Sequence, residues 1–143
     1  MTNVWKQLSC LPFAVSKHGL VVSGHNQMFM AGGEYPDGSA SKSVWRFDPL
    51  INVWQEMASM QTPRSELGLS LLDGHIYAVG GWEGSSRLDS VERYEIDSNT
   101  WTPIANMKLG RVSLLCHTKH AWFFQCISEI LIFQGNRIEQ LKK

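Results

Sequence analysis

The pattern of the stretch VWRFDPLINVWQEMASMQTPR at residues 44–64 recurs 47 residues later in VERYEIDSNTWTPIANMKLGR at residues 91–111. Both copies place an aromatic residue seven positions before a tryptophan, and an asparagine two positions before the same tryptophan. The segment NVWKQL at 3–8 carries that asparagine and tryptophan a third time. Self-similarity at a fixed period indicates a repeat architecture, so this stretch decides the fold.

Two pairs of glycines extend the repeat toward its N-terminal end. Gly32-Gly33 and Gly80-Gly81 are 48 residues apart, one more than the 47 that separate the aromatic residues. The additional residue lies between the glycine pair and the next aromatic residue. An insertion confined to that segment marks it as a loop, because loops tolerate changes of length and strands do not.

The glycines and the aromatic residues are predicted to be structural parts of the repeat. We expect the large rings to wedge between neighbouring sheets. A glycine pair at a strand end permits a positive φ or a close backbone approach that any Cβ would block. These structural residues are Gly32, Gly33, Phe47, Trp54, Gly80, Gly81, Tyr94 and Trp101.

Each repeat is predicted to contain four short strands. In the clearer copy, LGLSLLD at 67–73 is followed by the hairpin signal Asp73-Gly74 and by the return strand HIYAVGG. The segments DSVERYEID and TWTPIA supply the third and fourth strands. One such sheet is too small to bury both of its faces, so the repeats are expected to pack side by side in a ring or stack.

Composition and charge exclude several function classes. The chain has 143 residues, and its 13 basic residues balance its 13 acidic residues, so nucleic acid is not the expected partner. Its first residues do not form a signal peptide, and no apolar run is long enough to span a membrane. The three cysteines are widely spaced and are interpreted as reduced thiols of an intracellular protein. The expected location is the cytoplasm, with the nucleus as the alternative.

The combined motif resembles the kelch repeat. It consists of a glycine doublet, an aromatic residue about 13 positions later and a tryptophan seven further on, at a period near 50. The fuller pattern, PRSELGLSLLDGHIYAVGG followed by LDSVERYEIDSNTWTPIANM, is similar to the repeats of kelch-like proteins, which join a BTB domain to a kelch propeller. The resemblance implies an all-β fold, an incomplete kelch β-propeller with two four-stranded antiparallel blades plus partial blades.

The resemblance covers residues 3 to about 111 and divides the chain into four parts. They are 1–10, the last strand of a preceding blade; 11–60, a kelch repeat; 61–107, a kelch repeat; and 108–143, a degenerate or divergent partial repeat and tail. A third unit is expected to place its glycine pair at 127–128, where Ile127 and Ser128 stand. The segment AWFFQ at 121–125 could still form a strand. The apolar residues beyond it loosely fit a helical stripe, and the tail could be helical or disordered.

A closed propeller typically has four to eight blades, more than these repeats supply. We therefore interpret the chain as a fragment or an alternative product of a longer kelch protein. The alternative is a small protein with a degenerate third repeat. Because the open flanks expose apolar faces and an unpaired strand edge, the isolated chain is expected to be insoluble, oligomeric or partly unfolded.

Candidate catalytic and metal-binding groups are weak in this sequence. CHTKH at 116–120 places Cys116, His117 and His120 within reach of one metal ion, with Cys126 beyond. Structural zinc sites show paired ligand spacings on both sides, so surface histidines and buried thiols are the favoured interpretation. Since the phosphate-binding and nucleophile motifs are absent from the sequence, we expect no enzyme and no cofactor. An oxidase-like or sialidase-like propeller is the enzymatic alternative.

Binding through loops is the favoured role. Under the kelch resemblance, two sets of loops lie on one face, and the family implies that this face holds peptide segments of partner proteins. The loops are EYPDGSASK at 34–42, WEGSSR at 82–87, LPFAVS at 11–16 and MQTPRSEL at 60–67. The candidate partner-binding residues are Tyr35, Asp37, Arg64, Glu66, Trp82, Glu83 and Arg87.

Several of these candidates have a structural alternative. Arg64 recurs as Arg111, which favours a role in the repeat over peptide contact. Tyr35 and Trp82 could instead pack over the bases of their loops. An acid at Glu66 favours basic peptides, whereas Arg87 favours acidic ones, so the charge of the partner stays open.

The resemblance also implies a cellular role. The chain is predicted to be part of the substrate-recognition propeller of a BTB–kelch adaptor for a cullin-RING E3 ubiquitin ligase. The cullin scaffold would be engaged only through BTB and BACK regions that this chain lacks. The alternative is a cytoskeletal, actin-associated or scaffold kelch protein. Neither role involves nucleic acid or a membrane.

Overall fold

In a computed structural model, the chain is described over residues 7–112 and, beyond them, by the backbone of strands at 115–117, 123–126, 129–134 and 137–142. The regular structure of these residues is entirely β-strand, arranged as three four-stranded antiparallel sheets. The sequence predicts the last strand of a preceding blade at residues 1–10. Residues 1–6 lie outside the described residues, and residues 7–10 are not part of a strand. No helix in the described part of the chain has the length and apolar character needed to cross a membrane.

The first two sheets correspond to the two repeats, and we call them the first and second blades. The first blade consists of β1 (Gly19–Val22), β2 (Met28–Ala31), β3 (Val44–Asp48) and β4 (Val53–Met57). The second consists of β5 (Gly68–Leu72), β6 (His75–Val79), β7 (Val91–Glu95) and β8 (Thr100–Ile104). In both blades the strands are paired in sequence order. The predicted all-β architecture of four-stranded antiparallel blades is confirmed.

The turn between β5 and β6 forms where the sequence predicts it. Asp73 and Gly74 both have positive φ, of 45° and 79°. Two successive residues with positive φ twist a two-residue turn in the same sense as the strands that it joins. This turn aligns Leu72 with His75 and so fixes the register of the hairpin.

The seven-residue spacing between an aromatic residue and a tryptophan places the two side chains opposite each other on neighbouring strands. Phe47 pairs with Trp54, with ring centroids 5.1 Å apart, and Tyr94 pairs with Trp101 at 4.9 Å. Tyr94 also meets Phe29 of the first blade edge-on at 6.2 Å. The rings therefore join strands within a blade and also pack across the contact between blades.

The asparagine two positions before each tryptophan ties its blade to the preceding chain. Asn52 and Asn99 have positive φ, 56° and 52°, a conformation that asparagine tolerates better than most residues. The Asn99 side-chain oxygen accepts hydrogen bonds from the Ala58 N–H at 2.8 Å and the Tyr94 hydroxyl at 2.7 Å. The Asn52 side-chain oxygen accepts the Ser9 N–H at 3.0 Å.

The second glycine of each pair lies where a side chain has no room. Gly33 has φ of 111° and Gly81 has φ of 104°. A Cβ on Gly33 would lie 2.7 Å from the Ser16 carbonyl oxygen, and one on Gly81 would lie 2.7 Å from the Ser65 carbonyl oxygen. Close approach and positive φ together require glycine at these strand ends.

The main core lies between the first and second blades. It consists of Phe29, Ala31, Val44, Met60, Leu67, Leu69, Ile76, Ala78, Tyr94 and Trp101. The segment that links the blades carries Met60 and Leu67, and the remaining residues come from the facing strands. Because each blade buries its apolar residues against its neighbour, neither blade has a complete core of its own.

The third sheet corrects the expectation for the tail. Its strands are β9 (Leu115–His117), β10 (Phe123–Cys126), β11 (Glu129–Gln134) and β12 (Arg137–Lys142), with β11 paired to β12 from Glu129–Lys142 to Gln134–Arg137. Neither alternative for the tail, helix or disorder, holds for residues 129–134 and 137–142, which are strands. Only Gly135 and Asn136 separate β11 from β12, a dipeptide typical of two-residue hairpins, and this signal outweighs the loose helical stripe.

Candidate functional site

Four segments meet at one end of the two blades, and we call them the rim: 11–16, 34–42, 60–67 and 82–87. Single antiparallel bridges join Ser16 to Glu34 and Ser65 to Trp82. The N–H groups of Glu34 and Trp82 each donate to the facing serine carbonyl at 2.7 Å. The segment that enters each blade is therefore paired with the loop between that blade's second and third strands.

The first-blade loop, residues 34–42, is held by its own hydrogen bonds. The Asp37 carboxylate accepts the Ser39 N–H at 2.9 Å and the Ser39 hydroxyl at 2.6 Å. The Ser39 hydroxyl, and after it the Ser39 N–H, lowers the pKa of Asp37 below its ordinary value. Asp37 is exposed, so this loop presents a fixed negative charge to solvent.

Tyr35 is half-buried at the base of the same loop. Its hydroxyl accepts a hydrogen bond from the Ser41 hydroxyl at 3.0 Å, and its ring meets Phe13 edge-on at 5.8 Å. Phe13 in turn meets Trp45 edge-on at 5.5 Å. Tyr35 therefore packs over the loop base, while the uncovered part of its side chain remains available at the surface.

The second-blade loop, residues 82–87, is shorter and is closed by serine hydroxyls. The Glu83 carboxylate accepts hydrogen bonds from the Ser86 hydroxyl at 2.8 Å and the Ser85 hydroxyl at 3.3 Å. Trp82 is half-buried beside the entering segment, whereas Glu83 and Arg87 are exposed. An aromatic residue between an exposed acid and an exposed base can supply both apolar contact and charge recognition.

A three-residue charge cluster connects the two blades at the rim. The Lys17 ammonium lies 2.9 Å from the Glu34 carboxylate and 3.5 Å from the Glu66 carboxylate. Glu34, and after it Glu66, raises the pKa of Lys17. Sequence reasoning found Glu66 but missed Lys17 and Glu34. The available signal was the repeat itself, because Lys17 and Glu66 each follow a bridging serine and have positive φ, 54° and 52°.

Arg64 lies beneath this surface and is completely buried, with 0% of its side chain exposed. Its guanidinium lies 2.9 Å from the carboxylate of Glu92, whose side chain is 2% exposed. The same guanidinium donates hydrogen bonds to the carbonyls of Gly80 and Ser90 at 2.8 and 2.9 Å and to the Ser90 hydroxyl at 2.8 Å. A side chain enclosed in this way cannot touch a partner. We therefore remove Arg64 from the partner-binding residues, and the structural role that its recurrence favoured remains.

Six predicted partner-binding residues remain at the surface of the rim. Tyr35 and Asp37 belong to the first-blade loop, and Glu66 lies in the segment between the blades. Trp82, Glu83 and Arg87 belong to the second-blade loop. The structure therefore brings the two loops and the linking segment to one end of adjoining blades.

The described residues hold no group of three histidine, cysteine or acidic side chains that could bind a metal ion. The weak metal candidate from the sequence, Cys116, His117, His120 and Cys126, falls outside the side chains that the structure describes. Cys10 is exposed and is a free thiol.

Comparison with known proteins gives two matches to the Kelch motif, at residues 17–61 and 63–108. The chain is 37% identical to Kelch-like protein 35 of Mus musculus over 101 residues, which are 71% of this chain and 17% of that protein. It is 35% identical to Kelch-like protein 33 of Homo sapiens over 105 residues, 71% of this chain and 20% of that protein. With Kelch-like protein 15 of Gallus gallus it shares 41% identity over 81 residues, 54% of this chain and 17% of that protein. The chain thus spans a fifth or less of the length of these relatives.

Proposed function

Because the chain belongs to the kelch-repeat family and is of the kelch-like type, we propose that its blades are part of a substrate-recognition propeller. In this proposal the complete protein is a BTB–kelch adaptor of a cullin-RING E3 ubiquitin ligase. The rim binds a peptide segment of a protein substrate, and BTB and BACK regions engage the cullin scaffold. One observation carries the proposal: the two blades present both rim loops at the same end, and each loop is bridged to the segment that enters its blade.

The surface residues of the rim supply the proposed contacts. Trp82 offers a partly uncovered aromatic ring, and aromatic residues are enriched among those that dominate binding energy. Asp37, Glu66 and Glu83 offer carboxylates, and Arg87 offers a guanidinium for an acidic group of the substrate. Charged groups at the edge of such a surface set specificity and association rate more than affinity.

The experiment that tests this function compares variants at the two ends of the blades. Trp82→Ala combined with Arg87→Ala alters the rim, whereas Leu50→Ala alters a turn at the opposite end, where Leu50 is fully solvent-facing. Each variant of the complete protein is expressed in cells, and captured proteins are quantified by mass spectrometry. We expect the rim variant to lose a defined set of partners, and the ubiquitination of those partners to fall, while the turn variant retains both.

Two outcomes would contradict the adaptor role. Identical partner sets for the rim and turn variants would remove the rim from substrate binding. Partners lost without any change in their ubiquitination, together with cosedimentation with actin filaments, would favour the cytoskeletal or scaffold alternative. The adaptor role also carries the expectation of a cytoplasmic location, with the nucleus also open, which fluorescence microscopy of the tagged protein checks.

A further inference from the structure

The main chain of Arg64 fixes the base of the first-blade loop. Its N–H donates to the Ser41 carbonyl at 2.8 Å, and its carbonyl accepts the Gly33 N–H at 2.7 Å. The Ser41 N–H donates to the Gly33 carbonyl at 2.7 Å and closes a cycle of three hydrogen bonds. Gly33 directly precedes the first-blade loop and Ser41 is its penultimate residue, so the main chain of Arg64 holds the two ends of that loop together.

The side chain of Arg64 fixes the base of the second-blade loop. Gly80 and Ser90 flank this loop and are joined by the Gly80 N–H, which donates to the Ser90 carbonyl at 3.1 Å. The guanidinium donates to the carbonyls of both residues and to the Ser90 hydroxyl. Glu92 holds the guanidinium in this position through two further hydrogen bonds, at 2.9 and 3.3 Å.

We propose that Arg64 is a positioning residue that couples the two rim loops, since its main chain holds one loop and its side chain holds the other. A partner that contacts both loops depends on Arg64 without touching it. This dependence of binding rests on the function proposed above, whereas the coupling between the loops does not. The coupling concerns the position of one loop relative to the other, which neither blade determines alone.

The repeat itself separates this coupling from ordinary blade stability. Arg111 forms the same main-chain cycle one repeat later, with the Gly81 N–H on its carbonyl at 2.6 Å and its own N–H on the Leu88 carbonyl at 3.0 Å. The main-chain cycle is therefore a general property of these repeats. At the entry to the first blade, the position of Arg64 is occupied by Val15, whose side chain cannot donate a hydrogen bond.

Amide hydrogen exchange at these blades within the complete protein tests the coupling, with Ser90→Ala as the decisive variant. This change removes one hydroxyl acceptor of Arg64 on the second blade and leaves the charges intact. We expect the amides of Gly33 and Ser41, on the first blade, to exchange about 3- to 10-fold faster. Arg64→Lys, which cannot reproduce the forked set of donors, should accelerate them by more than about tenfold.

Ser86→Ala is the matched control, because Ser86 lies in the loop that Ser90 flanks and its hydroxyl donates to Glu83 and not to a group bound by Arg64. It should leave the exchange of Gly33 and Ser41 unchanged. Acceleration confined to the amides of the second blade in Ser90→Ala would overturn the coupling, and this holds even if Arg64→Lys fails to fold. Wild-type amides at Gly33 and Ser41 that exchange as fast as unprotected peptide would overturn it as well.

The dependence of partner binding on Arg64 is tested with a substrate peptide that the rim captures. We expect Ser90→Ala to weaken its binding about 3- to 10-fold, while Ser86→Ala leaves the affinity unchanged. Faster exchange without weaker binding would overturn the dependence of binding and leave the coupling standing. If the wild-type rim captures no partner, the proposed function fails, and the exchange measurement still decides the coupling.

Discussion

The first and second blades share strand order and register, but they fill the space beside their third strand with different chemistry. In the second blade this space holds the buried ion pair of Arg64 and Glu92. In the first blade the same two positions are Val15 and Trp45. Val15 and Arg64 each lie directly before the serine that bridges to a rim loop, and Trp45 and Glu92 are the second residues of β3 and β7.

The two blades differ in how the polar atoms of this space are hydrogen-bonded. The Glu92 carboxylate accepts the N–H groups of Gln61 and Thr62 at 2.7 and 3.1 Å in addition to the guanidinium, so the polar atoms of this space are paired. Trp45 packs its ring on Phe13, and its buried indole N–H has no hydrogen-bond partner among the described residues. The two repeats therefore share a backbone arrangement, although the side chains packed beside the third strand differ in chemistry.

The blades differ also in the cover over their first strands. Leu69 on β5 is 6% exposed because it packs against Gly19 of the first blade. Leu20 occupies the same place on β1 and is 49% exposed. The same residue type at the same strand position is buried in one blade and open in the other. Burial in this fold is thus supplied by the neighbouring sheet and not by the blade itself.

The largest expected effect comes from unpairing the buried ion pair. Glu92→Gln leaves the Arg64 charge buried without a counterion and should lower the free energy of unfolding by about 3–5 kcal/mol. Arg64→Val combined with Glu92→Trp gives the second blade the residues of the first and should cost clearly less than Glu92→Gln. Urea unfolding monitored by tryptophan fluorescence measures both. A double variant less stable than the single one would show that the two fillings are not interchangeable.

The next effect compares the two leucines directly. Leu69→Ala should lower the free energy of unfolding by about 2–4 kcal/mol, because it opens a cavity between the blades. Leu20→Ala removes the same atoms from a half-open position and should cost less than about 1 kcal/mol. Thermal unfolding followed by circular dichroism gives the difference. Equal losses would mean that the face of β1 is covered in solution.

A smaller effect separates the two turn asparagines. Asn99→Ala removes the acceptor of two hydrogen bonds, whereas Asn52→Ala removes the acceptor of the Ser9 N–H. Both variants carry the same penalty for alanine at positive φ, so that penalty cancels in the comparison. Asn99→Ala should therefore be the more destabilising by about 0.5–1.5 kcal/mol, the contribution of one further hydrogen bond. Chemical unfolding of the two variants side by side measures this difference, and a reversed order would contradict it.

Much of the fold could be predicted from the sequence because the same strand pattern occurs in both repeats. The glycine pairs, the Asp73-Gly74 turn and the aromatic spacing each have a local physical reason, and the four predicted strands of the clearer copy are all present. The tail was less predictable. Its apolar residues fit two periods at once, and only the Gly135-Asn136 dipeptide favours the hairpin.

The rim was predicted less completely than the fold, since it depends on pairing across the repeat. The sequence identified the loops, but it could not show that Arg64 points inward, because its partner Glu92 lies on β7, 28 positions away. The charge cluster around Lys17 was not predicted for the same reason, because its two carboxylates come from different segments. Position in a repeat can be read from the sequence, whereas the direction of a long charged side chain depends on which opposite charge lies within reach.

The smallest effect concerns the charge that the first-blade loop presents. Ser39→Ala removes the hydroxyl that donates to Asp37 at 2.6 Å and should raise the pKa of Asp37 toward its ordinary value. A carboxylate whose pKa is lowered in the folded state stabilises the loop above its unfolded pKa, and this contribution disappears as pH falls through the folded pKa. The loop should therefore loosen at a higher pH in Ser39→Ala than in the wild type. Carbon-detected NMR titration of the Asp37 carboxyl measures the shift, and Ser85→Ala in the second-blade loop is the control that should leave it unchanged.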